Sequence, residues 1–165
     1  MDKKEPRAHR HHHLDRQIEE VVHDPYQARA KPREPSACPK CGIVFHQGRW
    51  QRLSRPAGAH EHLCPACHRT QDRYPAGYLT LSGRIVTANR AELMRLVRHE
   101  ESKENSDHAL HRIMGIEDHP DKIVITTTDV HLPRRIGEAV RRAYRGDLDI
   151  KYSPDEYTVR VNWSC

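Results

Sequence analysis

Cys38-Pro39-Lys40-Cys41-Gly42, answered by Cys64-Pro65-Ala66-Cys67 after the intervening residues 43–63, is the stretch on which the fold turns. Two Cys-x-x-Cys corners at this separation can bring four thiolates to one tetrahedral Zn²⁺ while the chain between them makes a hairpin, the pattern of a zinc ribbon. Two residues between ligands let each corner turn tightly enough for both sulfurs to reach one metal, and Gly42 supplies backbone freedom for the first turn. Cys38, Cys41, Cys64 and Cys67 are therefore read as the ligands of a structural Zn²⁺. A closed site of four cysteines keeps no open coordination position, so this metal is scaffold and not catalyst.

Other readings of the cysteines explain less. A disulfide framework needs an oxidising compartment, yet no signal-peptide pattern opens the sequence and no apolar stretch approaches membrane-spanning length. The expectation is a cytoplasmic protein with reduced thiols and no membrane contact. A thioredoxin-like redox pair would use one Cys-x-x-Cys and leave the second unexplained. Cys165 has no nearby partner and is read as a bystander. His46, His60, His62 and His68 crowd the same region and could replace a cysteine or form a second site. Because four cysteines complete the usual coordination, they are read as exposed or as hydrogen-bonding around the thiolates.

Only 36% of the 165 residues are hydrophobic and 31% are charged, so the core is small. The formal net charge of +5 suggests an anionic partner. Residues 36–74 carry most of the surplus: Lys40, Arg49, Arg52, Arg55, Arg69 and Arg73 against Glu61 and Asp72. Part of it offsets the two net negative charges of a four-thiolate zinc centre. The remainder, with Phe45, Trp50 and Tyr74 interleaved, fits a surface that contacts phosphate and stacks on bases, although Phe45 and Trp50 fit the ribbon's own small core better.

Outward from the ribbon, residues 1–35 read as a flexible charged arm, too poor in apolar surface to offset the cost of ordering it. Leu14, Ile18, Val21 and Val22 have the spacing of a short helix, and the run His11-His12-His13 reads as a solvated tail. On the other side, Tyr74-Pro75-Ala76-Gly77 closes the ribbon, assigned to residues 36–74, and opens residues 75–165, an α/β domain ending in β-α-β-β. Tyr78–Leu81 and Ile85–Thr87 read as strands around Ser82-Gly83. Asn89 with Glu92 starts a helix through Leu93, Leu96 and Val97 to about Glu104. Residues 109–117 suggest a strand, and the β-branched run 123–128 a strand buried on both faces. Asp129 caps a helix that Gly146 stops, and Leu148, Ile150, Tyr152, then Tyr157, Val159, Val161, Trp163 alternate as a hairpin with one apolar face. The fold class expected is α+β: a four-cysteine zinc ribbon followed by a mixed or antiparallel sheet packed by two helices.

At about 100° per residue, Ile136, Ala139, Val140 and Ala143 share one side of the helix after Asp129, and Arg134, Arg135, Arg141, Arg142 and Arg145 gather opposite. Such a stripe suits phosphate, whose oxygens match a guanidinium fork, and it equally describes a solvated face.

His23-Asp24-Pro25-Tyr26, the two cysteine pairs, Gly48-Arg49-Trp50, Tyr74-Pro75-Ala76-Gly77-Tyr78, the run from Thr126 to Leu132, Gly137, Ala143-Tyr144 and Val161-Asn162-Trp163 carry a resemblance. Together they look like a family of small, soluble bacterial zinc-ribbon proteins with no established activity. The cysteine pairs and the Tyr-Pro-Ala-Gly region also resemble, distantly, the N-terminal zinc-ribbon region of the archaeal and eukaryotic large-subunit ribosome export adaptor. That adaptor has more cysteine pairs and further domains absent here, so its transport role does not carry over. The resemblance implies binding to ribosomal or other structured RNA.

The function expected is nucleic-acid binding, most of all to ribosomal or other structured RNA or a ribosomal particle, with Arg49, Arg52, Arg55, Arg134, Arg141 and Arg145 as candidate phosphate contacts. The alternative is a zinc-dependent protein-interaction adaptor. An enzyme is the third class. His108 and His111 near Asp107, with Asp118, His119 and Asp121, suggest a metal or acid/base cluster in what reads as a loop. Backbone amides at the Thr126–His131 strand-to-helix junction could hold an anion beside His131. Zincin, nucleophile-elbow and P-loop motifs are absent, so no catalytic residue and no small-molecule substrate is assigned.

Overall fold

The computed structural model describes residues 23–27 and 30–165. The short helix expected around Leu14–Val22 and the His11–His13 run lie outside the described residues.

Around the cysteine pairs the chain forms a four-stranded sheet, ordered β3-β2-β1-β4, from β1 (Ser36–Ala37), β2 (Val44–His46), β3 (Arg49–Gln51) and β4 (His60–Glu61). β2 runs antiparallel to β1 and β3, and β4 parallel to β1. Gln47 and Gly48 turn the β2–β3 hairpin with φ of 50° and 76°, as a two-residue hairpin requires. Glu34 fixes that turn, its carboxylate accepting from the N–H groups of Gln47 and Gly48, both at 2.8 Å. Phe45 is buried with its ring 5.5 Å from Trp50, so the two aromatics form the ribbon's core.

The second cysteine pair does not open a second hairpin. It starts α1 (Pro65–Gln71), with Pro65 in the first turn, where a missing N–H costs nothing.

The remaining chain builds a five-stranded mixed sheet in the order β6-β7-β5-β9-β8. Its strands are β5 (Gly77–Ser82), β6 (Ile113–Asp118), β7 (Lys122–Thr127), β8 (Asp147–Tyr152) and β9 (Val159–Ser164). β5 pairs antiparallel with β7 and parallel with β9. The helices are α2 (Arg84–Ala88), α3 (Arg90–Asp107) and α4 (His131–Tyr144). Alternation along the strands sends Leu79, Leu81, Ile123, Ile125, Val159, Val161 and Trp163 into one core with Val86, Leu93, Val97, Ile136 and Val140 of the helices. Trp163 is fully buried and its indole N–H donates to the Arg145 carbonyl at 2.7 Å. Tyr78, Thr80, Thr126, Arg160 and Asn162 take the opposite, half-open face. Among the described residues no helix is long and apolar enough to cross a membrane.

The α+β class and the terminal β-α-β-β order agree with the sequence reading. Four local expectations do not. Residues 85–87 belong to α2 and not to a strand, because Gly83 at φ 100° ends β5 and redirects the chain so that Val86 reaches the core. β7 is buried on one face only, Lys122 being exposed and Val124 and Thr126 only half-buried on the other. Ala143 is exposed, the last turn of α4 having passed the edge of the sheet. The arm is tied down short of residue 35: Arg69, 1% exposed, is paired with Asp24, donates to the Tyr74 carbonyl at 2.9 Å and lies 4.2 Å from the Tyr26 ring centre. A guanidinium this deeply buried needs an anionic partner, and Asp24 provides it.

Gly77 sits where β5 passes the β7–α4 junction. A Cβ there would lie 2.7 Å from the Asp129 carbonyl oxygen and would also meet Thr127 Oγ1 and Pro133 Cγ. Gly77→Ala is expected to cost about 1–3 kcal/mol of stability through overpacking, read from the urea midpoint, with Gly115→Ala, whose added Cβ would meet only Thr126 Oγ1 at 3.3 Å, as the milder comparison.

Candidate metal centre

Each cysteine pair is placed by a different backbone device. Cys38 and Cys41 lie on the turn between β1 and β2: the Gly42 N–H bonds the Cys38 carbonyl and the Cys38 N–H the Ile43 carbonyl, both at 2.9 Å, with Gly42 at φ 77°. Cys64 is the N-cap of α1, and its sulfur accepts from the Cys67 N–H at 3.4 Å. The Cys64 N–H in turn points at the Cys38 sulfur, also at 3.4 Å.

The four sulfurs lie within 4.8 Å of one another, and Cys41 Sγ is 3.7 Å from Cys64 Sγ. Metal–sulfur bonds of about 2.3 Å in a tetrahedron give edges of about 3.8 Å. The spacing therefore suits a single four-coordinate ion, and these four cysteines could hold a metal. None of the five cysteines is in a disulfide, and Cys165 is exposed at the end of β9.

The protonation preferences of the thiols differ by position. Burial pushes the Cys64 thiol up strongly and raises Cys67 as well. Burial acts the same way on Cys38, but N–H groups of Cys64, Cys41 and Lys40 outweigh it and hold that thiol lowered to about 7. A bound cation would supply the stabilisation the buried thiolates lack, so metal binding and deprotonation go together.

Sequence reasoning missed the residue that faces this charge. Arg112, just before β6, brings its guanidinium to three of the sulfurs: Nη2 is 3.3 Å from Cys64 Sγ and 3.5 Å from Cys41 Sγ, and Nη1 is 3.8 Å from Cys67 Sγ. Burial works against its charge, yet the adjacent thiolates raise its pKa. Its backbone is held too, the Arg112 N–H donating to Thr128 Oγ1 at 2.9 Å while that hydroxyl donates to the Leu110 carbonyl at 2.6 Å. No spacing rule ties residue 112 to residue 38. The one sequence signal is a lone arginine between Leu110 and Ile113 in an otherwise strand-like run.

The six candidate phosphate contacts fall in different settings. Arg49 and Arg55 are exposed on the ribbon, Arg55 lying 3.7 Å from Glu61. Arg52 bonds the Asn105 side chain on α3, and Arg134 pairs with Glu138 at 2.9 Å. Arg141 and Arg145 are exposed at the end of α4, with Arg142 beside them. Among the described residues no ion pair joins Arg49, Arg141, Arg142 or Arg145 to an acidic group.

The strand-to-helix junction is occupied from within. Asp129 Oδ2 accepts the N–H groups of His131 at 2.7 Å and Leu132 at 2.9 Å, so the carboxylate caps α4 and sits where an external anion was expected. Asp129 is buried, which raises its pKa against the pull of His111 and of those two amides. Of the suspected histidine cluster, His108 and His111 do converge, on Glu104 of α3. Asp118 instead pairs with Arg90, and His119 lies 3.3 Å from Glu117.

Comparison with protein-family models, curated proteins and solved structures gives no match to this chain.

Arg112→Gln removes the guanidinium but keeps a side chain of similar reach. It is expected to speed loss of the ribbon metal to a chelator by about 10- to 100-fold, the usual cost of losing an outer partner, with the helical circular dichroism of the α/β domain retained. Cys64→Ser should abolish binding at this site, whereas Cys165→Ser should leave it unchanged.

Proposed function

We propose that the protein is a zinc-ribbon nucleic-acid-binding protein that contacts structured RNA, ribosomal RNA above all, through exposed arginines. What carries this reading is a group of exposed arginines without acidic partners among the described residues, Arg49 on β3 and Arg141, Arg142 and Arg145, of which the last three gather around the end of α4. Several other arginines are paired. Arg90 pairs with Asp118, Arg98 with Glu101, Arg134 with Glu138 and Arg135 with Glu104. Leaving four guanidinium groups uncompensated costs little in water and suits an external polyanion. Arg52 and Arg135 reach the neighbouring α3 residues Asn105 and Glu104, so the ribbon and α4 border the same end of one helix. No side chains are arrayed to read a base sequence, which favours contacts to phosphate and shape. The resemblance to the ribosome export adaptor's zinc-ribbon region points the same way.

The metal of the four-cysteine site is Zn²⁺ on this reading, with a structural role. Four thiolates in a tetrahedron suit zinc or iron, and zinc is the ion that adds no redox chemistry to a scaffold. The free thiols fit a reducing, cytoplasmic setting.

Two measurements check the proposal. After a wash with a weak chelator, metal analysis should return one tightly held zinc per chain. An iron content of one per chain with a thiolate-to-iron absorption band would replace zinc. Binding of the full chain to ribosomal RNA should weaken steeply with salt, and changing Arg141, Arg142 and Arg145 to Gln should flatten log affinity against log salt by up to about three phosphate contacts. The three side chains are exposed, so folding should be unaffected. Affinity and slope equal to those of the unaltered protein would overturn the assignment of α4. Binding independent of salt would favour the protein-interaction adaptor.

A further inference from the structure

The C-terminal end of α3 and the turn after it hold a second group of ligating side chains. Glu104, His108 and His111 each offer one ligand atom, and these atoms lie within 4.8 Å of one another. Glu104 Oε1 is 2.8 Å from His111 Nδ1 and 3.9 Å from His108 Nε2. Ligands held at about 2.1 Å from an ion stand about 3.0 Å apart in an octahedron and about 3.4 Å in a tetrahedron, so the group is close to the dimensions of a divalent metal site. The helix places Glu104 and His108 one turn apart, and the turn closed by the His111 N–H to the His108 carbonyl at 2.9 Å swings His111 over them.

Two features are left unexplained by hydrogen bonding alone. His111 Nδ1 faces two buried carboxylates, Glu104 at 2.8 Å and Asp129 Oδ2 at 3.5 Å, and one N–H can serve only one of them. Asp129 Oδ1 is buried with no partner, and Asp129 lines, with His111, Thr128 and Arg69, a cavity of about 180 Å³. Two buried carboxylates meet here: Glu104 and Asp129 are 4% and 6% exposed at the side chain, and Arg135 is 2.9 Å from Glu104 Oε2. A partly buried polar site with two carboxylates and two imidazoles is what a borderline cation seeks.

We propose that Glu104 Oε1, His108 Nε2 and His111 bind a second divalent transition-metal ion, distinct from the four-cysteine centre. Asp129 adds buried negative charge beside His111, and Arg135 fixes the free oxygen of Glu104, as outer partners commonly orient metal-bound carboxylates. Three protein ligands leave coordination positions open to water or to an incoming ligand. The ion is exchangeable where the closed thiolate site is not, because His108 is half-exposed, with 54% of its side chain open to solvent. This proposal stands apart from RNA binding.

The test uses the full chain with His11→Ala, His12→Ala and His13→Ala in every sample, so that the terminal run does not compete. Protein washed to one tightly held ion is titrated with Co²⁺ and with Zn²⁺. The expected result is uptake of one further equivalent, with weak visible Co²⁺ bands and no new thiolate charge-transfer absorption. His108→Ala, at a half-exposed position, should weaken this uptake by about 100-fold or more, at least the loss seen when an outer partner is removed, with an unchanged unfolding midpoint. His111→Ala should abolish it. His119→Ala, an exposed histidine outside the group, should leave it unchanged. Saturation at one ion per chain, or equal affinity in His108→Ala and the parent, would overturn the proposal and leave a hydrogen-bonded charge cluster.

Discussion

Four thiolates around one divalent ion would carry two net negative charges, and of the four cysteines that could hold it Cys38 and Cys64 are buried almost completely. The ribbon cannot neutralise that charge itself: its own arginines lie on the outside, apart from Arg69, which Asp24 already engages. The guanidinium of Arg112 comes from the other unit, and its contacts with three sulfurs are therefore more than a local hydrogen bond. They require the start of β6 to lie against the metal site. Cys38, Ile43, Cys64 and Ala66 then pack with Ala109 and, at its edge, Leu110, which closes a small apolar cluster across the joint. Electrostatics fixes where the two units meet, and apolar burial there follows.

A second buried cation, Arg69 on α1, ties the residues before the ribbon to it. Arg69 is enclosed by Asp24, the Tyr26 ring and the Tyr74 carbonyl. Tyr26 is bonded onward to Asp72 at 2.8 Å. Removing one member of such a set leaves a charge stranded away from water, which costs far more than the pair contributes when complete. That explains why a segment so rich in charge takes a defined place here. The ordering cost is offset by what the segment neutralises, not by apolar area.

How much of this could be read from the sequence follows a physical line. Features set by local geometry were legible: the cysteine corners with Gly42, the cap at Asp129, the alternation of β8 and β9, and the aromatic pair Phe45 and Trp50. Features set by distant charge were not. Arg112 lies 45 residues from the nearest sulfur it touches, Cys67, and Asp24 lies 45 residues from Arg69. No periodicity connects such partners. His108 and His111 are visible as a pair, but the acid they meet is Glu104 and not the adjacent Asp107. Helical spacing from Glu104 to His108 carries the signal that decides it, hidden by ending the helix near Glu104 when it continues to Asp107. Ile85–Thr87 misled for a related reason: three β-propensity residues say little once Gly83 has turned the chain.

Residues 108–112 concentrate the consequences. Within this short stretch the chain supplies His108 and His111 to the group around Glu104, Ala109 and Leu110 to the apolar joint, and Arg112 to the thiolates. Thr128 fastens it to the end of β7 through Leu110 and Arg112, and Asn105 accepts it at the helix end, its side-chain amide donating to the Ala109 and His111 carbonyls at 3.2 and 3.0 Å. A stretch held at so many points cannot shift at one end alone. α3 also carries Asn105, the partner of Arg52 on the ribbon's basic side. One chain segment thus binds together the metal scaffold, the histidine cluster and the exposed arginine surface.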